Sequence, residues 1–271
     1  MDTALTPIDQ PRPAALPDRS GTQSLGRGIM LLRTIAARPE AGWRLSDLAA
    51  ACKLDKGTVH RMLACLVDER LVERRDSDRH YLPGSLLYEL GLALPHRHHF
   101  QGRAEKALQS FARRMAGVSL LLRSGNEYVC SVRAGTTPVS GLMVYPGTRR
   151  PLFTSVGGVA ILQTLPQDQV RAILLDNVAQ EIARAGTGRL EALQNMRERS
   201  DRHGFGVNLG DVIQGVHALA VPVQNSAGEA FAALCLIGTA QQYGEARLDE
   251  LRAALDGMAV ALSTEARKCN L

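Results

Sequence analysis

The stretch from Cys52 to Leu66 reads CKLDKGTVHRMLACL. Asp55 precedes a helical run and can cap it by accepting an amide of the first turn. Val59, Met62, Leu63, Leu66 and Val67 recur at i, i+3, i+4, i+7 and i+8, which is one apolar face of a helix beginning near Lys56. The opposite face presents Lys56, Gly57, Thr58, His60, Arg61, Ala64 and Cys65. Donors crowd its first turn and a half, and Gly57 and Ala64 are small enough for close approach to another surface. Such a face suits a polyanion, but a solvated surface helix carries the same charges. The neighbouring segments decide between the two.

Upstream, Leu25, Ile29, Leu32 and Ile35 share one helical face, so 24–38 is a first helix stopped by Pro39. Ser46 is placed to cap a second helix, DLAAACKL. Only a few residues then precede the third. Downstream, Leu71–Arg74 and His80–Leu82 form a hairpin around the turn Asp76-Ser77-Asp78. Helix, helix, tight turn, helix and basic hairpin make a winged helix-turn-helix. In that frame Arg61 is the candidate for bidentate contact with guanine, and Thr58 and His60 reach bases or phosphates. Lys56 takes a phosphate, Gly57 lets the backbone near the groove, and Arg74, Arg75 and Arg79 contact phosphate or minor groove from the wing. Residues 19–82 hold twelve Lys/Arg against eight Asp/Glu, so part of the charge is ordinary surface.

The whole chain has 271 residues, 45% of them hydrophobic, enough for two packed domains. A net charge of +5 permits a polyanionic partner without requiring one. The N-terminal MDTALTPIDQPRPAALPDRSGTQ has no basic segment followed by an apolar core, so it reads as a disordered tail over 1–22 and not a signal peptide. No apolar run reaches the roughly 18 residues of a membrane span. Five cysteines without CxxC spacing read as reduced thiols of a cytoplasmic protein.

Beyond the hairpin, Pro83-Gly84 breaks the chain and SLLYELGLAL forms a short amphipathic helix. PHRHHF reads as an exposed hinge before a helix from about Arg103 to Met115. Strands follow in SLLLR, EYVCSVRA and SGLMVY, then helices near 155–164, 167–175 and 188–203. VHALAVPVQ and EAFAALCLIG flank the turn Asn225–Gly228, and a last helix spans 245–266. The chain therefore divides into a winged helix over 23–83, a helical linker over 84–102 and an α+β domain with an antiparallel sheet over 103–271, an architecture that small-molecule sensors use. His96-Arg97-His98-His99 lacks the converging ligands of a structural zinc site. A Cys235–His217 nucleophilic pair has neither an orienting group nor an oxyanion nest. Thr154–Gly158 lacks the Lys-Ser/Thr ending of a phosphate loop and fits better as a helix start. No catalytic residue, metal or cofactor is expected.

Three stretches in order resemble the IclR family of bacterial transcription regulators. SLGRGIMLLRTIAARPEAGWRLSDLAAACKLDKGTVHRMLACLVDERLVERRDSDRHYLPGSLLYELG is similar to its winged helix and linker. YPGTRRPLFTSVGGVAIL and GFGVNLGDVIQGVHALAVPVQNSAGEAFAALCLIG are similar to two signatures of its effector domain. The resemblance implies a GAF-like C-terminal effector domain and a homodimer, often paired into a homotetramer, on a promoter palindrome in double-stranded DNA. It also implies control of an adjacent catabolic operon by a small metabolite. Backbone amides at Val156 and Gly157 and side chains at Asn208, Ala218, Cys235 and Ile237 would hold that metabolite. Members that bind small carboxylates have an acid at Asn208 and hydroxyls at Cys235 and Ile237, and Phe153 and Val159 replace a common His and Lys. These departures favour a more apolar effector, an aromatic or organic acid, held partly by Leu142, Met143, Phe153 and Leu236. The rival readings are a constitutive DNA-binding protein whose C-terminal domain only assembles, and an enzyme with an accessory DNA-binding module.

Overall fold

Three helices form where the apolar spacing places them: α1 (Gln23–Ala36), α2 (Leu45–Cys52) and α3 (Lys56–Asp68). They belong to a computed structural model that describes residues 22–136 and 144–271. Two compact units divide between Ala93 and Leu94. Most of the expected N-terminal tail, and the proposed effector contacts Leu142 and Met143, lie outside the described residues.

In the first unit, Lys53 adopts a left-handed backbone (φ 54°) that ends α2. Asp55 then opens α3, its Oδ1 accepting the Thr58 amide at 2.8 Å. Ser46 does not cap α2, contrary to expectation. Trp43 exchanges backbone hydrogen bonds with Tyr81 at 3.0 and 2.8 Å, which holds the chain extended up to Arg44. The helix therefore starts at Leu45, and the Ser46 hydroxyl falls inside the first turn, donating to Asp47 Oδ1 at 3.1 Å. The wing is the antiparallel pair β1 (Val72–Arg74) and β2 (Tyr81–Pro83). Leu31, Ile35, Trp43, Leu48, Val59 and Leu63 bury the interior of this unit. Gly84 allows the chain to leave β2, since a Cβ there would lie 2.2 Å from the Arg70 carbonyl oxygen. A short helix α4 (Ser85–Gly91) follows.

The second unit opens with α5 (Pro95–Met115), longer than expected. Pro95 occupies the first helical position, where its missing N–H costs nothing. Phe100, Ala104, Leu108 and Phe111 continue one buried stripe, so His96–His99 are helix and not hinge. The strands are β3 (Gly117–Ser124), β4 (Glu127–Ala134), β5 (Arg149–Pro151), β6 (Gly206–Leu209), β7 (Val216–Gln224) and β8 (Ala230–Thr239). They form one sheet in the order β5-β4-β3-β8-β7-β6 with every neighbour antiparallel. Gly125, at φ 64°, supplies the positive φ of the two-residue turn joining β3 and β4. Of the expected strand SGLMVY, Val144 and Tyr145 are irregular and the rest lies outside the described residues.

The helices α6 (Val156–Leu162), α7 (Gln167–Ala185), α8 (Leu190–His203) and α9 (Leu248–Lys268) complete the unit. The helix expected over 167–175 continues to Ala185. Its later buried positions are Asn177 and Glu181, whose polarity hides the apolar period. Asn177 accepts the Phe153 amide and Glu181 pairs with Arg184 at 2.7 Å, so both are satisfied inside. One sheet face packs on α5 and α9 through Leu120, Leu219, Leu234 and Leu236. The other carries Leu121, Ala218, Ala220, Ala233 and Cys235 against α6 and α8. The sheet separates two cores.

Candidate DNA-contacting and effector-sensing sites

On α3, Val59 and Leu63 are fully buried, which leaves Lys56, Gly57, His60 and Arg61 exposed and Thr58 half-buried. Hydrogen bonds from the Thr58 hydroxyl and amide hold the Asp55 carboxyl below its ordinary range, so the cap is an anion facing its helix. Arg61 Nη2 lies 3.4 Å from Thr58 Oγ1, a weak contact that leaves the guanidinium available. The geometry thus assembles the predicted donors on one exposed face.

The wing arginines separate into two kinds. Arg74 and Arg79 are exposed, with the Arg74 guanidinium 5.6 Å from the Tyr81 ring centre. Arg75 is half-exposed and already paired. Its Nε and Nη2 donate to the Asp78 carboxylate at 3.0 and 2.7 Å, and Nη1 and Nη2 donate to the Glu40 and Ala41 carbonyls, each at 3.1 Å. Those bonds make Arg75 a strut joining the wing to the loop before α2. Those same bonds hold the Asp78 carboxyl well below the usual carboxylate range. Arg44, passed over in the sequence, lines a cleft with Lys56, His60, Arg74 and Arg79.

In the second unit Phe153, Val156, Ala218 and Cys235 share one core with Ile237 at its edge. Register places Asn208 opposite Ala218 and Ala218 opposite Ile237, one row across three strands. Gly157 presses onto this face, since a Cβ on it would lie 2.5 Å from Cys235 Sγ and 2.7 Å from Leu121 Cδ1. The Ser155 hydroxyl accepts the Gly158 amide at 3.1 Å, and the first amides of α6, at Val156 and Gly157, have no partner within the helix. Asn208 is already engaged. Its Oδ1 accepts the amides of Asp211 and Val212 at 2.9 and 3.3 Å, and its Nδ2 donates to the Val216 carbonyl at 3.4 Å. It is a staple for the loop between β6 and β7. Leu236 turns to the opposite core, away from this row.

Cys235 and His217 lie on opposite sheet faces: Cys235 packs under α6, and His217 Nδ1 is 2.7 Å from the Tyr243 carbonyl on the other side. Burial also pushes the Cys235 thiol far above its ordinary range, the reverse of an activated nucleophile. Among the described residues no group of three or more His, Cys, Asp or Glu is placed to hold a metal ion, and no helix is long and apolar enough to cross a membrane.

Residues 24–76 match the IclR helix-turn-helix domain, and residues 95–264 match the bacterial transcriptional regulator IclR C-terminal domain. The chain belongs to the IclR family. It is a transcriptional regulator with a DNA-binding domain and a C-terminal effector domain. It is 24% identical to the HTH-type transcriptional regulator KipR of Bacillus subtilis over 241 residues, 88% of this chain and 94% of that one. The solved IclR family regulator from Brucella abortus shares its fold at a TM-score of 0.67, with 21% identity over 91% of this chain and 94% of that one. An IclR homologue from Microbacterium hydrocarbonoxydans, solved with 4-hydroxybenzoate, gives a TM-score of 0.63 at 20% identity over 90% and 99% of the two chains.

The tight seat of Gly157 on Cys235 in this IclR C-terminal domain can be tested directly. Gly157→Ala is expected to lower the stability of the C-terminal unit by about 1–3 kcal/mol through overpacking. Adding Cys235→Ala removes the nearer of the two clashing atoms and should recover part of that loss. Thermal melts of the single and double variants measure the coupling. Additive losses would place the strain elsewhere.

Proposed function

We propose that this regulator binds a promoter palindrome as a homodimer or dimer of dimers in the cytoplasm, and that an aromatic or organic acid on the α6 face of the sheet alters its grip on DNA. The target is an operon adjacent to its own gene, of catabolic function. The observation that carries the DNA half is α3 itself, locked to the core by Val59 and Leu63 and presenting Lys56, Gly57, Thr58, His60 and Arg61 outward beside the Arg74 and Arg79 wing. Exposed Leu25 and Ile29 on α1, with Tyr88, Leu90 and Leu92 on and just after α4, support a second copy covering them.

For the sensor, Phe153, Val156, Gly157, Ala218, Cys235 and Ile237 offer an environment of small and apolar groups. With the Asn208 amide tied to its loop, that environment suits a ring more than a small hydroxy acid. An effector seated there changes the packing of α6 on the sheet. The domain assignment of 23–83 for DNA, 84–102 for the linker and 103–271 for the effector gives that change a route to the spacing of paired winged helices.

The test begins with a duplex selected by the protein from a random pool. Arg61→Ala should weaken specific binding by about 1–3 kcal/mol while leaving the melt unchanged. Parent-like affinity and selectivity in that variant would remove Arg61 from base reading. A thermal-shift series with aromatic and aliphatic acids then tests the sensor, with stabilisation of about 2.7 kcal/mol at a concentration one hundred times Kd. If no acid shifts the melt or the operator affinity, the C-terminal domain serves assembly alone.

A further inference from the structure

Five cationic or imidazole side chains from three separate elements line one cleft of the N-terminal unit. They are Arg44 at the entry to α2, Lys56 and His60 on α3, and Arg74 and Arg79 of the wing, around a space of about 350 Å³. The one acid among the described lining residues is Asp78, whose carboxylate is held by Arg75 at 3.0 and 2.7 Å. Among the described residues, no ion pair or side-chain hydrogen bond engages Arg44, Lys56 or Arg79. Like charges gathered this way repel one another until an anion joins them, and they focus a positive potential into the cleft. The arrangement lies beside the first turn of α3, where the base-reading donors begin.

Resting on the DNA-binding reading, we infer that this cleft seats a backbone phosphate of the bound duplex, with Arg44 as its contact from the α2 side. Lys56 closes the seat from α3, and Arg79 closes it from the wing. Arg75 is a positioning residue here: by neutralising Asp78 it keeps a carboxylate from repelling the phosphate. A phosphate held in this cleft sets the register of α3 on the duplex, so that Arg61 meets one base step rather than its neighbours. Arg44 itself carries no sequence information.

The test uses the full-length protein, the selected duplex, and a scrambled duplex of the same length, with anisotropy titrations across a potassium chloride series. Arg44→Ala should weaken binding to both duplexes by the same factor, leaving their ratio as in the parent. The slope of log affinity against log salt should become shallower by about 0.9 for each phosphate that the variant no longer neutralises. Arg44→Lys should recover most of the slope, because an ammonium also takes a phosphate. Arg44→Gln, which keeps the first part of the side chain and a polar end without the charge, should behave as Arg44→Ala and gives the decisive reading if the alanine variant melts early. A parent that binds DNA and charge-free variants with its affinity and slope would overturn the inference. A change in the selected-to-scrambled ratio would make Arg44 a base reader and overturn it too. A parent that binds neither duplex would sink the DNA reading itself. Thermal shifts in sodium phosphate against sodium chloride at equal ionic strength should match for parent and Arg44→Ala. Stabilisation by inorganic phosphate that disappears with Arg44 would identify a free-anion site instead.

Discussion

Trp43→Ala is expected to unfold the N-terminal unit and abolish DNA binding while leaving the melt of the C-terminal unit in place. Trp43 is 1% exposed, and the Arg38 guanidinium lies 4.1 Å from its ring centre. Its backbone pairs with Tyr81 of β2, so one residue joins the α1–α2 loop to the wing. Removing a buried Trp side chain costs about 3–5 kcal/mol. A core of this size rarely supplies more than about 3–5 kcal/mol in total, so the loss consumes the whole margin. Trp43→Phe makes the contrast. Among the described residues the indole Nε1 has no hydrogen-bond partner, so the phenyl ring keeps the apolar contact and removes a buried donor left without one there. Hydrogen exchange resolved along the chain is the measurement. Protection that vanishes over 23–83 in the alanine variant and persists in the phenylalanine variant is the expected pattern. Parent-like protection in Trp43→Ala would show that the wing stays docked without it.

Gly158→Ala is expected to destabilise the C-terminal unit strongly. In a helix interior Ala is normally favoured over Gly by roughly 0.5–1 kcal/mol, so propensity alone predicts a gain. Here a Cβ would sit 1.9 Å from the Leu152 carbonyl oxygen, and both the oxygen and its Cα belong to a backbone turn that leads into α6. A flexible side chain can move aside, whereas this carbonyl can move only by lifting α6 from the sheet. The cost should therefore exceed the ~1–3 kcal/mol of ordinary overpacking. The melting transition of the C-terminal unit falls, that of the N-terminal unit stays, and any stabilisation by an added acid disappears if α6 forms one wall of the proposed sensing face. A variant with an unchanged or higher melt would mean that helix propensity outweighs the contact.

Local rules reach some features of this chain and stop short of others. The α3 face, the Asp55 cap and the β3–β4 turn follow from periods and turn chemistry within a few residues, and each forms where the pattern places it. The length of α7 escapes those rules, because Asn177 and Glu181 are polar side chains buried by partners elsewhere in the chain. The early start of α5 escapes them too, since a run of Pro, His and Arg looks like surface until Phe100 is seen to pack at 4% exposure.

By itself the amino-acid sequence determined a winged helix-turn-helix followed by an α+β effector domain, and which side of α3 faces the core. Those features are set by the spacing of apolar side chains, and burial of apolar area is a non-directional force that such spacing encodes directly. On α1 the buried residues are Met30, Leu31, Thr34 and Ile35, while Leu25 and Ile29 of the expected face are exposed. Tertiary structure decided what the polar side chains do. Arg75 became a strut because Glu40 and Ala41, some 35 and 34 positions away, present carbonyls to it. Asn208 became a staple because the β6–β7 loop folds back onto it. Arg44 joined the cleft because Trp43 pins its segment to β2. Hydrogen bonds and ion pairs depend on distance and angle to a particular partner, and only the folded chain brings those partners within reach.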